Sequence, residues 1–393
     1  MEFQEVIESI RAEEASVQEL FGGDGVGVRS FKKTPQYLAK LGEAAQFVSN
    51  VYAGKVRGER LAEALGTSDF SNLFGDILDR ALLGSYMETP QVYRNFTRIG
   101  SVPDFRTVKR FALNGSESVL SVVPQQAEYP ESSVSDAAYS YTVQKYGRRI
   151  GFSWEAMVND DLDALKSIPD RFARAARRSE SKFVTGLYVG ASGPNTSLYT
   201  VGNKNIINAT NGASATNPAL SISALQDGYK VLANMKDADG EPIVIDAVEL
   251  VVPPALQITA QNILNATQLW LDTNASAGTA QQNMVTANWM AQKVRLSIDP
   301  YIPVVSSTAN GNTSWFLFAN PASGRPAIEI GFLRGHESPE IFVKAPNTQS
   351  AGASTDPLNG DFDTDSIMYK VRHVFGGTQL DPKATVMSNG SGS

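Results

Sequence analysis

Residues 105–152 hold two strand-like runs too long to lie within a compact body. Phe105 to Val123 and Ala137 to Phe152 read as two long strands, with Tyr139, Tyr141 and Val143 on one face by the two-residue period. Between them lies a polar, turn-rich stretch, Pro124-Gln125-Gln126-Ala127-Glu128-Tyr129-Pro130-Glu131-Ser132-Ser133. A hairpin with arms of about 20 residues, rising roughly 3.3 Å per residue, is on the order of 65 Å long. A compact chain of 393 residues has a radius of gyration of only about 21 Å. The hairpin must therefore project. An isolated two-stranded ribbon is marginal in water, and Val119, Leu120, Val122, Val123, Tyr129, Tyr139 and Tyr141 need cover. The economical expectation is that another subunit supplies it, with Val119, Val122, Tyr129, Tyr139 and Tyr141 as inter-subunit contacts.

Composition narrows what such a chain can do. Hydrophobic residues make up 42% and charged residues 19%, which allows a sizeable core and excludes disorder throughout. Lys and Arg number 34 against 41 Asp and Glu, a net charge of −7. A dedicated DNA-binding protein needs a concentrated excess of Lys and Arg, so that class is disfavoured. No cysteine occurs, which removes disulfides, iron–sulfur clusters, thiolate zinc sites and cysteine nucleophiles together. With only His336 and His373, a His-rich metal centre is not expected. The acidic start Met1-Glu2-Phe3-Gln4-Glu5 has no basic region followed by an apolar one, and no stretch approaches the roughly 20 apolar residues of a spanning helix. The expectation is a cytosolic, soluble chain with no membrane partner.

Ahead of the hairpin, Phe3, Val6, Ile7, Ile10, Val17, Leu20 and Phe21 recur near helical spacing, and Gly22 to Gly27 break the pattern. That glycine cluster follows a helix and no strand, so it reads as a joint rather than a phosphate cradle. Leu73 to Leu83 is the clearest further helical piece, and residues 1–100 read as an arm. After the hairpin, Ser167-Ile168-Pro169-Asp170 has the form of a capping box. Beyond it Phe172, Ala176, Phe183 and Leu187 mark one helix face, and Arg171, Arg174, Arg178 and Lys182 form a basic stripe on another. The stripe reads as a solvated face or one pairing with nearby carboxylates; the other reading is contact with a packaged polyanion.

Residues 191–219 have loop composition, and an α/β pattern follows. Leu225, Tyr229, Leu232 and Met235 mark a helix behind a second capping box at Ser223-Ala224-Leu225-Gln226. Ile243 to Val252 reads as a strand, and Pro254 opens a helix through Leu256, Ile263, Leu264 and Leu271. Further strands are expected at Val294–Ile298, Trp315–Phe318, Ala327–Leu333 and, after a polar loop, from Ile367 to Val386.

Catalytic chemistry finds little to work with. His336 lies in the turn Gly335-His336-Glu337-Ser338-Pro339 and His373 inside a strand, and no Gly-x-Ser-x-Gly elbow accompanies either. Both read as structural. Asp361, Asp363 and Asp365 resemble the opening of a calcium loop, but Ser366 stands where a glycine is needed and Arg372 where a glutamate is needed. A solvated acidic loop or a weak cation site remain as readings. No Walker motif occurs, nor a nucleotide-binding glycine motif between strand and helix. No catalytic, metal-binding or cofactor-binding residue is singled out, and an enzyme is disfavoured.

Two runs near the C-terminus carry a family resemblance. Pro326-Ala327-Ile328-Glu329-Ile330-Gly331-Phe332-Leu333-Arg334-Gly335, followed by Pro339, is one. Lys370-Val371-Arg372-His373-Val374-Phe375-Gly376, then Leu380-Asp381-Pro382 and Ser388-Asn389-Gly390, is the other. Both resemble segments of the major capsid proteins of tailed bacteriophages, and the likeness covers about residues 70–390. The resemblance implies an α+β, Hong Kong 97-like phage capsid fold. Residues 1–100 would be its N-terminal arm, 101–152 its extended β-hairpin loop and 153–220 a peripheral domain with a long spine helix. Residues 221–325 would be an α/β axial domain, and 326–393 the return to the peripheral domain with a C-terminal strand.

The function so implied is a major capsid (head) protein that self-assembles as pentamers and hexamers into an icosahedral shell around double-stranded DNA. Its partners would be further copies of itself, portal, scaffolding and decoration proteins, and packaged DNA touched by weak, non-specific contact. It implies no cofactor, a place in the virion, and assembly in the host cytoplasm. Some relatives weld their shell through a lysine of the extended loop. No lysine occurs here between Lys109 and Lys145, so a shell without such crosslinks is expected. The alternative of another class is an encapsulin-like compartment enclosing an enzyme cargo.

Overall fold

Helical and two-residue apolar periods alternate along the chain, and the structure, a computed structural model, resolves them into a mixed α+β fold. It describes residues 7–10, 12–13, 35–52, 55, 68–88, 91–114, 123, 125, 135–153, 162–237, 240–243, 248–266, 268–273, 282–323, 325–344, 363 and 366–391. In chain order the main elements are α1 (Pro35–Tyr52), α2 (Ser68–Glu88), β1 (Arg98–Val102), β2 (Val108–Asn114), β3 (Ser135–Tyr141) and β4 (Gln144–Ser153). Then come α3 (Leu162–Tyr188), the short pair β5 (Val189–Gly190) and β6 (Gly193–Pro194), α4 (Ile222–Ala233), β7 (Val248–Val252), α5 (Gln257–Asn265), β8 (Gln268–Thr273) and β9 (Gln282–Ala287). The last are β10 (Val294–Ile298), β11 (Trp315–Ala319), β12 (Ile328–Leu333), β13 (Glu340–Val343), β14 (Ser366–Gln379) and β15 (Thr385–Ser388). Among the described residues no helix is long and apolar enough to cross a membrane. The chain forms two compact units, each assembled from three separate stretches.

The first unit gathers residues 1–90, 144–179 and 335–375. Leu38, Leu41, Ala45 and Val48 recur every three or four residues along α1, and Leu73, Ile77 and Ala81, with Leu78 and Leu82 beside them, do so along α2. Each helix therefore turns one apolar stripe inward. In one core these stripes meet Ile7 and Ile10, Ile168, Phe172 and Ala173 of α3, and Tyr369 and Val371 of β14. Residues 1–90, expected within an arm, thus contribute both helices and an N-terminal turn to this core. Arg177 of α3 is buried and donates from Nε to the Tyr86 carbonyl at 2.6 Å, its guanidinium 3.4 Å from the centre of the Tyr86 ring. Tyr86 sits in the last turn of α2, where carbonyls lack intrahelical partners, so Arg177 closes that helix end.

Strand β14 pairs antiparallel with β4 from Ser366↔Ser153 to Phe375↔Gln144, and with β13 from Glu340↔Arg372 to Val343↔Tyr369. The expected capping box at Ser167–Asp170 does not open a helix. Instead α3 starts at Leu162 and runs through a buried Pro169, and the Asp170 carboxylate accepts the Ser85 hydroxyl.

The second unit gathers residues 91–143, 180–334 and 376–393. Its centre is the sheet β10-β7-β11-β15, with β10 parallel to β7 and β11 antiparallel to both β7 and β15. Every residue of β7, β11 and β15 is buried, which requires cover on both sheet faces. Leu250, Val252, Trp315, Leu317 and Val386 pack with Leu225 and Leu232 of α4 and Ala260, Ile263 and Leu264 of α5. The alternate residues Phe316 and Phe318 meet Tyr188 edge-on at 5.0 and 5.4 Å between ring centres, and Tyr188 meets Phe96 at 5.7 Å.

Several expected boundaries shift. The α4 cap is Ser221, whose hydroxyl accepts the Ala224 N–H at 3.2 Å, two residues ahead of the expected box. Pro254 opens a single 3₁₀ turn that leads into α5, and α5 stops at Asn265. Leu271 lies not on that helix but on β8, paired with β9. The expected strand from Ile367 to Val386 is two strands, because Asp381 caps a turn at Pro382–Ala384 between β14 and β15.

The hairpin is corrected too. β2 and β3 pair from Val108↔Tyr141 to Asn114↔Ser135, but the second arm breaks at Thr142-Val143. Beyond the break β4 turns to β14, so only the stretch up to Tyr141 faces β2. Tyr141 and Val143, on either side of the exposed Thr142, are both buried.

Candidate functional site

The hairpin is rooted on a buried carboxylate. Glu329 interrupts the apolar run of β12 and is 0% exposed. The Tyr141 hydroxyl of β3 donates to Glu329 Oε1 at 2.6 Å and Arg110 Nε of β2 donates to the same oxygen at 2.9 Å. Parallel pairing of β1 with β12 sets Arg98 opposite Glu329, with Arg98 Nε 3.7 Å from Oε2. A buried carboxylate is tolerated only where charge and hydrogen bonds meet it; here both hairpin strands do so. Burial first, then the Glu329 bond and charge, push the Tyr141 phenol well above its ordinary range, so it stays a donor. Burial works against the Arg110 guanidinium, yet the Glu329 bond and charge raise its pKa. Gly331 makes room for this joint, since a Cβ there would collide with the Tyr141 hydroxyl.

Tyr139 is half-buried beside this root, its phenol raised by burial and then by the Asp381 carboxylate. Phe105, just ahead of β2, and Phe111, midway along it opposite Ala138, are 55% and 64% exposed. Val119, Val122 and Tyr129 lie outside the described residues, as do the glycine cluster 22–27, Asp361 and Asp365.

In the first unit a groove of about 870 Å³ runs between α3 and the β4–β14 ladder. Arg171, Arg174 and Arg178 line it from successive turns of α3, and Arg148 lines it from β4. All four are exposed, and among the described residues none has a carboxylate partner. Within the described residues of this chain the stripe is thus solvent-facing. Lys182 lies one turn further along α3, in the second unit and outside the groove. The Tyr146 ring stacks on Phe375 at 4.2 Å and 10°, and both line the groove. Gly147 permits this wall, because a Cβ there would stand 2.7 Å from the Val371 carbonyl oxygen on the paired strand.

Both histidines pack against or bond to neighbouring side chains. His373 is buried, its ring 5.1 Å from that of Phe375 and 5.9 Å from that of Tyr86. His336 contacts Glu340, which also accepts from Arg372 at 2.6 Å. Burial would raise the Glu340 carboxyl, but the bonds from His336 and Arg372 outweigh it and hold it below the usual range. No group of three or more potential metal ligands occurs among the described residues.

Sequence reasoning singled out the α3 stripe and Tyr139 and Tyr141, but missed Arg98, Arg110, Arg148 and Glu329. A lone carboxylate inside the apolar run Ile328-Glu329-Ile330 was the available signal for the last.

Residues 137–388 match the family model described as phage capsid protein. No curated protein matches the sequence. Among solved structures, the chain is similar to one from Gordonia phage Cozz at 15% identity and a TM-score of 0.41, over 74% of this chain and 84% of that one. The capsid asymmetric unit of cyanophage Pam1 shows 11% identity and a TM-score of 0.43, over 73% and 86%. A chain from Mycobacterium phage Ogopogo shows 10% identity and a TM-score of 0.42, over 77% and 93%. The family model spans more than half of the chain, from within β3 to the end of β15, and on that ground the chain belongs to the phage capsid protein family.

Proposed function

We propose that this chain, a major capsid protein by its family, self-assembles as pentamers and hexamers into an icosahedral shell around the double-stranded DNA of a tailed phage. The observation that carries this is the family match across residues 137–388. The rooted hairpin supports it. A two-stranded ladder does not hold itself in water, and the buried joint at Glu329 is what anchors its base. Of the loop expected over residues 101–152, the part before β4 is then laid on a neighbouring copy, with Val119, Val122, Tyr129 and Tyr139 in the contact and Tyr141 holding the base within its own chain. Residues 1–100, 153–220, 221–325 and 326–393 take the arm, peripheral, axial and returning roles. Each contact can be weak, since a copy held by several neighbours meets the next one at high effective concentration. The role is structural and not enzymatic, with assembly in the host cytoplasm and portal, scaffolding and decoration proteins as further partners.

The family match does not support an encapsulin-like compartment. Size-exclusion chromatography with negative-stain microscopy of the purified chain tests the shell directly. Hollow particles of uniform diameter are expected; a chain that stays monomeric at high concentration, with scaffolding protein supplied, defeats the proposal.

A further inference from the structure

We propose that the groove between α3 and the β4–β14 ladder binds the phosphate backbone of a nucleic acid, with Arg148, Arg171, Arg174 and Arg178 as the phosphate contacts. This assigns a contact surface within the DNA-container reading and rests on it for its biological setting, though binding itself is measurable without a shell. Three of the arginines stand at spacings of three and four on one helix face and span about 10 Å at the helical rise of 1.5 Å per residue. The fourth reaches in from the facing strand. Like charges converging without counter-charges repel one another, so the arrangement is relieved by an incoming anion. All four are arginine, whose planar fork meets phosphate oxygens two at a time.

The walls discriminate between classes of polyanion. An Arg cluster can also meet an acidic peptide, whose specificity then comes from pockets for its other side chains. Beside the arginines the groove is lined by Gly147, Ala175, Ser179 and the half-buried Tyr146 ring, with the buried Ala176, Val371, His373 and Phe375 completing the lining. Small residues beside a basic row let a backbone approach closely, and an aromatic face accepts a base or sugar. The surrounding chain is acidic, with a net charge of −7, so affinity stays local and releasable.

The test is fluorescence anisotropy of the full-length chain with a labelled duplex of about 20 base pairs across a salt series. Four phosphate contacts predict a roughly hundredfold fall in affinity between about 50 and 200 mM salt. For Arg174→Gln combined with Arg178→Gln the fall drops to roughly tenfold. Arg106→Gln, on a side chain 91% exposed in the other unit, leaves the wild-type salt dependence unchanged. Exposed Arg→Gln changes leave the fold intact, which circular dichroism checks.

The proposal is overturned if the wild type does not bind the duplex, or if the double variant keeps the full salt dependence. It is equally overturned if polyglutamate of matched charge competes as well as unlabelled duplex, which would make the groove a peptide site. Particle formation by the same variants, expected unchanged, separates the two readings. Variants that keep the DNA salt dependence but lose particles make the groove a contact between copies. A wild type that forms no particles yet binds DNA with the four-charge dependence leaves the groove standing while the shell falls.

Discussion

At the scale of single residues, the joint at Glu329 shows why particular side chains in the β12 run are what they are. Glu329 is stabilised by Tyr141 and Arg110 from two strands of one hairpin, and Gly331 keeps the space that the Tyr141 ring occupies. Removing the hydroxyl with Tyr141→Phe takes one of two close donors from a buried carboxylate. That should cost roughly 1–3 kcal/mol, read as a lower urea midpoint of the unassembled subunit at unchanged slope. Gly331→Ala should cost more, because the ring and the new methyl cannot both fit; an unchanged midpoint in both variants would show that the joint does not hold the hairpin. Glu340 makes a pH-dependent counterpart. Its carboxyl lies below the ordinary 4.5 in the folded chain because of His336 and Arg372. The stabilisation is therefore complete above 4.5 and lost as pH falls through the lower folded value. Glu340→Gln should flatten the acid side of the stability curve and leave its shape near neutrality alone. A variant curve parallel to wild type through the acid range would refute the assignment.

At the scale of elements, helix ends carry the clearest predictions. Ser221→Ala removes the oxygen that accepts the Ala224 N–H, and should destabilise the second unit by about 1 kcal/mol. Arg177→Leu keeps much of the buried bulk but strips the donor from the Tyr86 carbonyl at the end of α2. It should lower the melting temperature of the first unit more than Ser221→Ala lowers that of the second, and amide exchange across the last turn of α2 should accelerate. Equal effects from the two changes would mean that Arg177 does not close the helix.

The same elements mark what could be read in advance. Strands such as Val294–Ile298 and Trp315–Phe318 are legible because two-residue periods and turn residues act locally. Boundaries set at a distance are not. Ser223 looked as good a cap as Ser221 by residue type, and only the backbone entering α4 decides between them. Ser167 to Asp170 has the form of a capping box, yet α3 continues through it with Ile168, Phe172 and Ala173 packed in the core. The second hairpin arm looked continuous because nothing local marks Thr142-Val143; Glu329, 188 residues away from Tyr141, holds its end. The α3 stripe was legible as a stripe, but Arg148 joins it only through the register of β4 against β14.

At the scale of the whole molecule, the decisive question is what the hairpin does that the rest of the chain cannot. Among the described residues β2 and β3 pair only with each other, which leaves the outer edges of this ladder open there, and Phe105 and Phe111 stand exposed ahead of and along β2. Unpaired edges beside apolar side chains invite another chain. If a neighbouring copy accepts them, residues 115–134 are needed for assembly and not for folding. Replacing residues 115–134 by Asn-Gly tests this, because a two-residue turn of that type closes antiparallel strands in the twist they already have. The register from Val108↔Tyr141 to Asn114↔Ser135 is then preserved, and so is the Glu329 joint. The shortened chain should show the wild-type circular dichroism spectrum and melt within a few degrees of it, since the cost of closing a connection changes only slowly with its length. It should also sediment as a monomer under conditions where wild type forms particles. Particles of wild-type diameter from the shortened chain would place the contacts between copies elsewhere, while a chain that fails to fold would show that the segment stabilises its own subunit.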